Sequence, residues 1–120
     1  MTTGHYVPRR GDVVRVDFNP QKGHEQAGKR PALVLSPVDY NRRIGLAVVC
    51  PITNQKKGYP WEVDIPDNTY VTGLVLADQL KSIAWRDRNA EFVCVPPDGL
   101  LEEVVAKAFA LLGPEEEEEP

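Results

Sequence analysis

No apolar stretch in this sequence approaches the ~20 residues needed to cross a bilayer; Leu46 to Cys50 is typical of its longest runs. The first ten residues, Met1 to Arg10, lack the apolar core of a signal peptide. A cytoplasmic protein with no membrane partner is therefore expected. Cysteine is scarce, with only Cys50 and Cys94, each inside an alternating apolar segment. Two cysteines permit one disulfide, but small buried thiols in a reducing compartment are the favoured reading. There is no CxxC spacing and no histidine beside either cysteine, so no metal site is implied and no cofactor is expected. Histidine is equally sparse, at His5 and His24 only.

What remains is an ordinary globular composition: 120 residues, 42% hydrophobic and 27% charged. That length suits one domain with a single core. The net charge of −4 conceals an asymmetry, because five of the 18 acids are the run Glu115 to Glu119. Residues 1–60 carry ten Lys/Arg and four Asp/Glu, while residues 61–120 carry four and fourteen. A basic first half suggests a face that binds a polyanion. Plain solubilising surface explains the same charges about equally well. We expect one domain over 1–114 and an acidic disordered tail over 115–120.

The pattern along the chain is that of short strands. Val13 to Phe18 alternates apolar and polar residues, the period of a half-buried strand. Asn19 to Lys29 is polar and breaks the pattern, a long loop of the kind that carries function. Pro31 to Ser36 reads as a strand buried on both faces. Ser36 to Asn41 reads as a turn or a single helical turn. Leu46 to Thr53 is a further strand, in which Pro51 suggests an edge or a bulge. Trp61 to Ile65, Gly73 to Ala77 and Glu91 to Val95 complete the strands, with Asp78 to Ile83 predicted as a short helical connection. From Leu100 to Leu112 apolar residues recur at three, four and seven, which predicts one helix; Asp98 can cap it and Gly113-Pro114 can stop it. The fold class is mainly β (α+β): a curved antiparallel sheet or barrel carrying a C-terminal α-helix.

Five blocks, in one order, resemble the MazF/PemK toxin family: Arg10 to Phe18, Gly23 to Pro37, Cys50 to Thr53, Lys57 to Pro60 and Leu76 to Arg86. The resemblance covers Tyr6 to Gly113. It implies an SH3-like fold of the MazF/PemK (CcdB-like) type, a homodimer, and cleavage of single-stranded RNA at a short motif without metal. It also implies a MazE-like protein antitoxin, an acidic and partly disordered peptide lying along a basic groove.

Such cleavage needs the ribose 2′-hydroxyl to attack phosphorus, stabilisation of the phosphoryl charge, and a proton for the leaving 5′-oxygen. By resemblance, Arg30 and Thr53 carry the site. A planar guanidinium can bind two phosphoryl oxygens at once, and a threonine hydroxyl can donate to one. Taken by position alone, Arg30 would be a loop-end ion pair and Thr53 an ordinary strand residue. Glu25 matches a family acid, with roles as base, as orienter of Arg30 or in RNA reading left open. His24 is a candidate for proton transfer against the blander reading of an exposed loop residue. Lys22, Gln26, Asn41, Lys56, Lys57, Tyr59, Gln79, Lys81, Arg86 and Arg88 are candidates to contact RNA. Of these, Lys56, Lys57 and Lys81 suit phosphate rather than base. Trp61 and Trp85 could stack bases, but burial is the favoured reading of each.

The Glu115–Glu119 run departs from the family pattern. It reads first as a solvated tail, and second as a weak self-inhibitor that mimics the antitoxin. Two other functions fit the same fold: a gyrase-poisoning toxin, as in the CcdB family, and a non-catalytic SH3-like RNA-binding module. The plain amphipathic helix argues against the first. The second would need no threonine at position 53.

Overall fold

Val13 and Val14 face opposite ways, and each is buried in a different cluster. That one pair of neighbours explains the architecture. The central strands are covered on both faces, so their sequence reads as nearly unbroken apolar runs. The computed structural model describes residues 6–18, 29–67 and 69–115. Its elements are β1 (Val13–Asp17), β2 (Lys29–Val34), α1 (Val38–Ile44), β3 (Ala47–Thr53), β4 (Glu62–Asp64), β5 (Leu74–Leu76), β6 (Lys81–Ile83), β7 (Glu91–Cys94) and α2 (Leu100–Leu112). Among the described residues these strands form an open antiparallel sheet in the order β4-β5-β3-β2-β1-β7, with β6 also paired to β3.

One face packs Leu33, Cys50, Ile52, Val63 and Val75 under Leu100 and Val104 of α2. The other packs Val14, Val16, Ala32, Val34, Val49 and Ile83 with Trp85. Both cysteines are free and buried, as expected. Burial, with the nearby Asp78 carboxylate adding to it, pushes the Cys50 thiol up to about 12.

The helix expected over 100–112 is present with those bounds. Its start differs. Gly99, at φ 101°, is the N-cap, and the Glu102 carboxylate accepts its N–H at 3.0 Å, so Asp98 makes no cap bond. Leu100, Val104 and Ala108 are buried, but Phe109 and Leu112 stay 70% and 69% exposed. The apolar stripe is thus wider than the sheet beneath it.

Three other local expectations are corrected. Ser36 to Asn41 leads into the two-turn helix α1, closed by Gly45 in the left-handed conformation. The stretch from Asp78 to Ile83 ends in a strand, β6, because β3 offers it a free edge: Ala47, Val48 and Val49 pair with Ile83, Ser82 and Lys81. β3 is central, not an edge. Its pairing passes from β6, opposite Ala47–Val49, to β5, opposite Ile52 and Thr53. Pro51 lies in the gap between those two ladders, where a missing N–H breaks neither. No described helix is long and apolar enough to cross a membrane.

Candidate active site

The ladder between β2 and β3 pairs Ala32 with Pro51, Leu33 with Cys50 and Val34 with Val49. Continued outward by two residues, the same register sets Arg30 opposite Thr53. The paired residues end at Ala32 and Pro51, so Arg30 and Thr53 lie just past the same end of that ladder, on one face by alternation. On its other side Arg30 pairs with Val16 of β1, and Thr53 pairs with Leu74 of β5. Leu74 in turn pairs with Asp64, and Leu76 with Glu62. Val49, two residues from Pro51 on the same face, pairs with Lys81. By alternation, Arg30, Thr53, Lys81, Leu76, Glu62 and Asp64 therefore lie on one face of the sheet. Arg30 and Lys81 are exposed, and Thr53 is half-buried.

Thr53 opens into a pocket of about 110 Å³ lined also by Gln55, Lys57, Tyr59, Glu62, Leu76 and Gln79. The Thr53 hydroxyl oxygen accepts the Gln55 N–H at 3.1 Å, which leaves its proton available to a ligand. Tyr59 donates its hydroxyl to Asp78 Oδ1 at 3.1 Å. Burial, together with that carboxylate, pushes the phenol above its ordinary value. Tyr59 is thus a neutral, anchored ring rather than a base. Lys56 reaches Asp64 at 3.4 Å in an exposed pair, and the Lys57 side chain is exposed. Gly73, at φ +110°, lies directly against the Thr53 backbone.

The structure brings Thr53, Lys57, Tyr59 and Gln79 together around one pocket, with Arg30 and Lys81 on the same face of the sheet. Lys22, His24, Glu25 and Gln26 lie outside the described residues. The RNA-reading role expected of Asn41 is withdrawn. Its side chain is fully buried; Nδ2 donates to Pro8 O at 2.8 Å and Ser36 O at 3.1 Å, and Oδ1 accepts from Ser36 Oγ at 2.6 Å. Arg88 is likewise engaged internally, donating to the carbonyls of Asp17 and Phe18. Arg86 is exposed and lies 4.9 Å from the centre of the Trp85 ring, beside a different cavity lined by Tyr6, Asn89 and Ala90. Trp85 is buried and donates to Asn41 O at 2.9 Å; Trp61 is half-buried and donates to Lys107 O at 2.9 Å. Both are framework residues, as favoured from sequence.

Sequence reasoning missed Glu62, Asp78 and Gly73. Glu62 falls within the predicted strand Trp61 to Ile65 and Asp78 begins the predicted helical connection, and an acid at either place gives no local sign of a role in a site that receives phosphate. Gly73 opens the predicted strand Gly73 to Ala77, and its being glycine is the one local sign of a close backbone approach. Among the described residues, no three His, Cys, Asp or Glu side chains converge as a metal site requires.

A family model described as PemK-like, MazF-like toxin of type II toxin-antitoxin system matches residues 9–112. The chain is 48% identical over 108 residues to the endoribonuclease toxin MazF of Escherichia coli K12, a match spanning 90% of this chain and 96% of that protein. It is 31% identical to the endoribonuclease PemK of Escherichia coli, over 86% of this chain and 80% of that one. Crystallised MazF from Deinococcus radiodurans superposes with a TM-score of 0.81 at 50% identity, covering 90% of this chain and 98% of that one. The toxin in a MazE-MazF crystal structure from the same organism superposes equally well, at 0.81 and 45% identity, over 91% and 98%.

Proposed function

The chain belongs to the PemK-like, MazF-like toxin family, and on that premise we propose that it is an endoribonuclease toxin, cutting single-stranded RNA at a short motif without metal. The observation that supports the site assignment is the β2–β3 register: extended two residues past Ala32 and Pro51, it lines up Arg30 with Thr53, which opens into the pocket.

In this reading the ribose 2′-oxygen bonds to phosphorus as the bond from phosphorus to the 5′-oxygen breaks. The products are a 2′,3′-cyclic phosphate and a free 5′-hydroxyl. The Arg30 guanidinium and the Thr53 hydroxyl bind the phosphoryl oxygens, where charge grows in the transition state. Arg30 stays protonated, so it stabilises charge and takes no proton. The 2′-hydroxyl proton must pass to a base and the 5′-oxygen must receive one from an acid; Glu25 and His24 are candidates for these roles and lie outside the described residues. Lys56, Lys57 and Lys81 supply phosphate contacts, while Tyr59 and Gln79 line the place where a base would sit.

The proposal includes control by a MazE-like antitoxin in a bacterial cytoplasm. A basic face that draws RNA also draws an acidic peptide. It includes a homodimer as well. The uncovered apolar groove along α2, formed by Leu101, Val105, Phe109 and Leu112 with Leu35, supports a protein contact there.

The deciding experiment incubates the purified protein with a long mixed-sequence RNA in excess EDTA, beside Arg30→Ala, and sequences the new ends. Cuts at one short motif, lost in the variant, are the expected result. Intact RNA from folded wild-type protein would sink the proposal.

A further inference from the structure

The segment from Gln55 to Pro60 has no regular secondary structure, yet it brings Lys57 and Tyr59 to the Thr53 pocket. Side chains hold it in place of a ladder. At its start, Gln55 N–H donates to the Thr53 hydroxyl. In its middle, the Glu62 carboxylate takes two successive backbone donors: Lys57 N–H at 2.8 Å on Oε2 and Gly58 N–H at 2.9 Å on Oε1. At its end, Glu62 N–H donates to Tyr59 O at 3.2 Å, and the Tyr59 hydroxyl is tied to Asp78. Gly58 turns at φ +88°, a conformation that L side chains rarely adopt. That turn lets both N–H groups meet one carboxylate.

A negative charge in a site that must receive phosphates opposes binding, so something must offset it. The bonds made here are charge-assisted and stronger than neutral ones, and they fix the middle of a segment that the other bonds hold only at its two ends. A fixed loop discriminates, whereas a loose one adapts to whatever base arrives. We propose that Glu62 is a positioning residue of the RNA site. It clamps the Lys57–Gly58 backbone, so that Lys57 and Tyr59 stand at fixed places beside the Thr53 hydroxyl, and it thereby sets how sharply the enzyme distinguishes one RNA sequence from another. This rests on the ribonuclease reading above. Glu62 itself touches neither the scissile phosphate nor the 2′-hydroxyl in this scheme.

The test compares wild type with Glu62→Gln on short RNAs carrying the preferred motif and each single-base change of it. Thermal midpoint and salt dependence are measured alongside. The amide keeps the size of the side chain but has one acceptor oxygen, so one backbone N–H loses its partner. The expected result is a melting temperature close to that of wild type, with the ratio of kcat/KM between preferred and altered motifs falling about tenfold, one charge-assisted hydrogen bond's worth. A uniform change in rate on all substrates, with the ratio intact, would overturn the proposal. So would a salt-sensitive drop in KM with unchanged discrimination, which is the signature of a charge that merely repels RNA. Should Glu62→Gln fail to fold, Gly58→Ala decides. It strains the same turn, meets no atom within 4 Å, and leaves the carboxylate in place; it is expected to lower discrimination likewise, and an unchanged ratio there would also overturn the proposal. Wild-type protein that cuts no RNA would instead remove the underlying reading, and that is seen before any variant is compared.

Discussion

Gly73 lies so close to Thr53 that a Cβ at position 73 would stand 2.2 Å from the Thr53 carbonyl oxygen and 2.8 Å from Asn54 Oδ1. The same glycine sits at φ +110°, and its carbonyl accepts Ile65 N–H at 3.0 Å. It thus joins the β4 side of the sheet to the strand end that presents the Thr53 hydroxyl. Gly73→Ala is expected to cost at least ~1–2 kcal/mol from the left-handed backbone alone, with more from the clash. Because that clash falls on the Thr53 backbone, kcat should fall further than the loss of folded protein explains. Denaturant unfolding and single-turnover cleavage would check the two parts separately. An alanine variant of wild-type stability and rate would mean that the close approach is not needed.

Asn41 provides a test of a different kind. It bonds Pro8 O, Ser36 O and the Ser36 hydroxyl with no exposed surface, so Asn41→Ala orphans two buried carbonyls at ~1–3 kcal/mol each. A fall in melting temperature of roughly 10 °C or more is expected. The RNA motif cut by the folded fraction should be unchanged. A changed motif would restore this residue to the RNA surface.

Much of the fold is legible in the sequence because burial imposes a period. α2 is plain because its apolar residues recur at helical spacing, β1 because Arg15 and Asp17 alternate with Val14, Val16 and Phe18, and β2 and β3 because covered strands are apolar on both faces. β6 is hidden because Lys81 and Ser82 are exposed and only Ile83 is buried; its strand state comes from the free edge of β3, which no local pattern reports. Asn41, between Tyr40 and Arg42, looks like surface, and it is the approach of Pro8, Ser36 and Trp85 that makes it core. Arg30 and Thr53 came from the family blocks, not from any periodicity. What the fold adds is a β2–β3 ladder that ends two residues short of both, with the two on one face of the sheet. Glu62 reads as the outward half of an alternating strand, since nothing local shows two backbone donors folding back on it.

The buried thiols predict a pH dependence. Cys50 has an ordinary value of 9.0 and a folded value of about 12. Raised in the folded state, it contributes stability that is complete below pH 9 and is lost as pH rises from there toward 12. The melting temperature should therefore decline across pH 9 to 10.5, and Cys50→Ala should flatten part of that decline. Tyr6, pushed up by burial and its bond to Asp12, has the same sign and accounts for a further part. At pH 8 Cys50 should resist iodoacetamide in the folded protein and react once guanidinium unfolds it. Rapid native labelling would contradict the burial.

Lys57 is assigned to phosphate, and that role has its own signature. Lys57→Ala should weaken RNA binding across sequences and reduce the slope of log K against log salt by about 0.7, the value for one contact to a single strand. The cleavage motif should stay as it was. A shifted motif with an unchanged salt slope would make Lys57 a base reader instead.

Arg30 and Thr53, past the same end of the β2–β3 ladder and on one face, should behave as a unit in catalysis. Arg30→Ala removes a two-pronged donor to the phosphoryl oxygens, and kcat is expected to fall about 10²–10³-fold. Arg30→Lys keeps the charge but not the fork, so it should recover only a part of that loss. Thr53→Val removes the hydroxyl at nearly constant volume and should lower kcat with little effect on KM, the pattern of a contact made mainly in the transition state. Thr53→Ser keeps the hydroxyl, and with it most of the rate. If both groups bind one phosphate, the double variant Arg30→Ala/Thr53→Val should lose less than the product of the single losses, because neither donor works fully once the phosphate is misplaced. Strictly multiplicative losses would mean that the two act on separate steps, and the shared phosphate site inferred from the register would have to be abandoned.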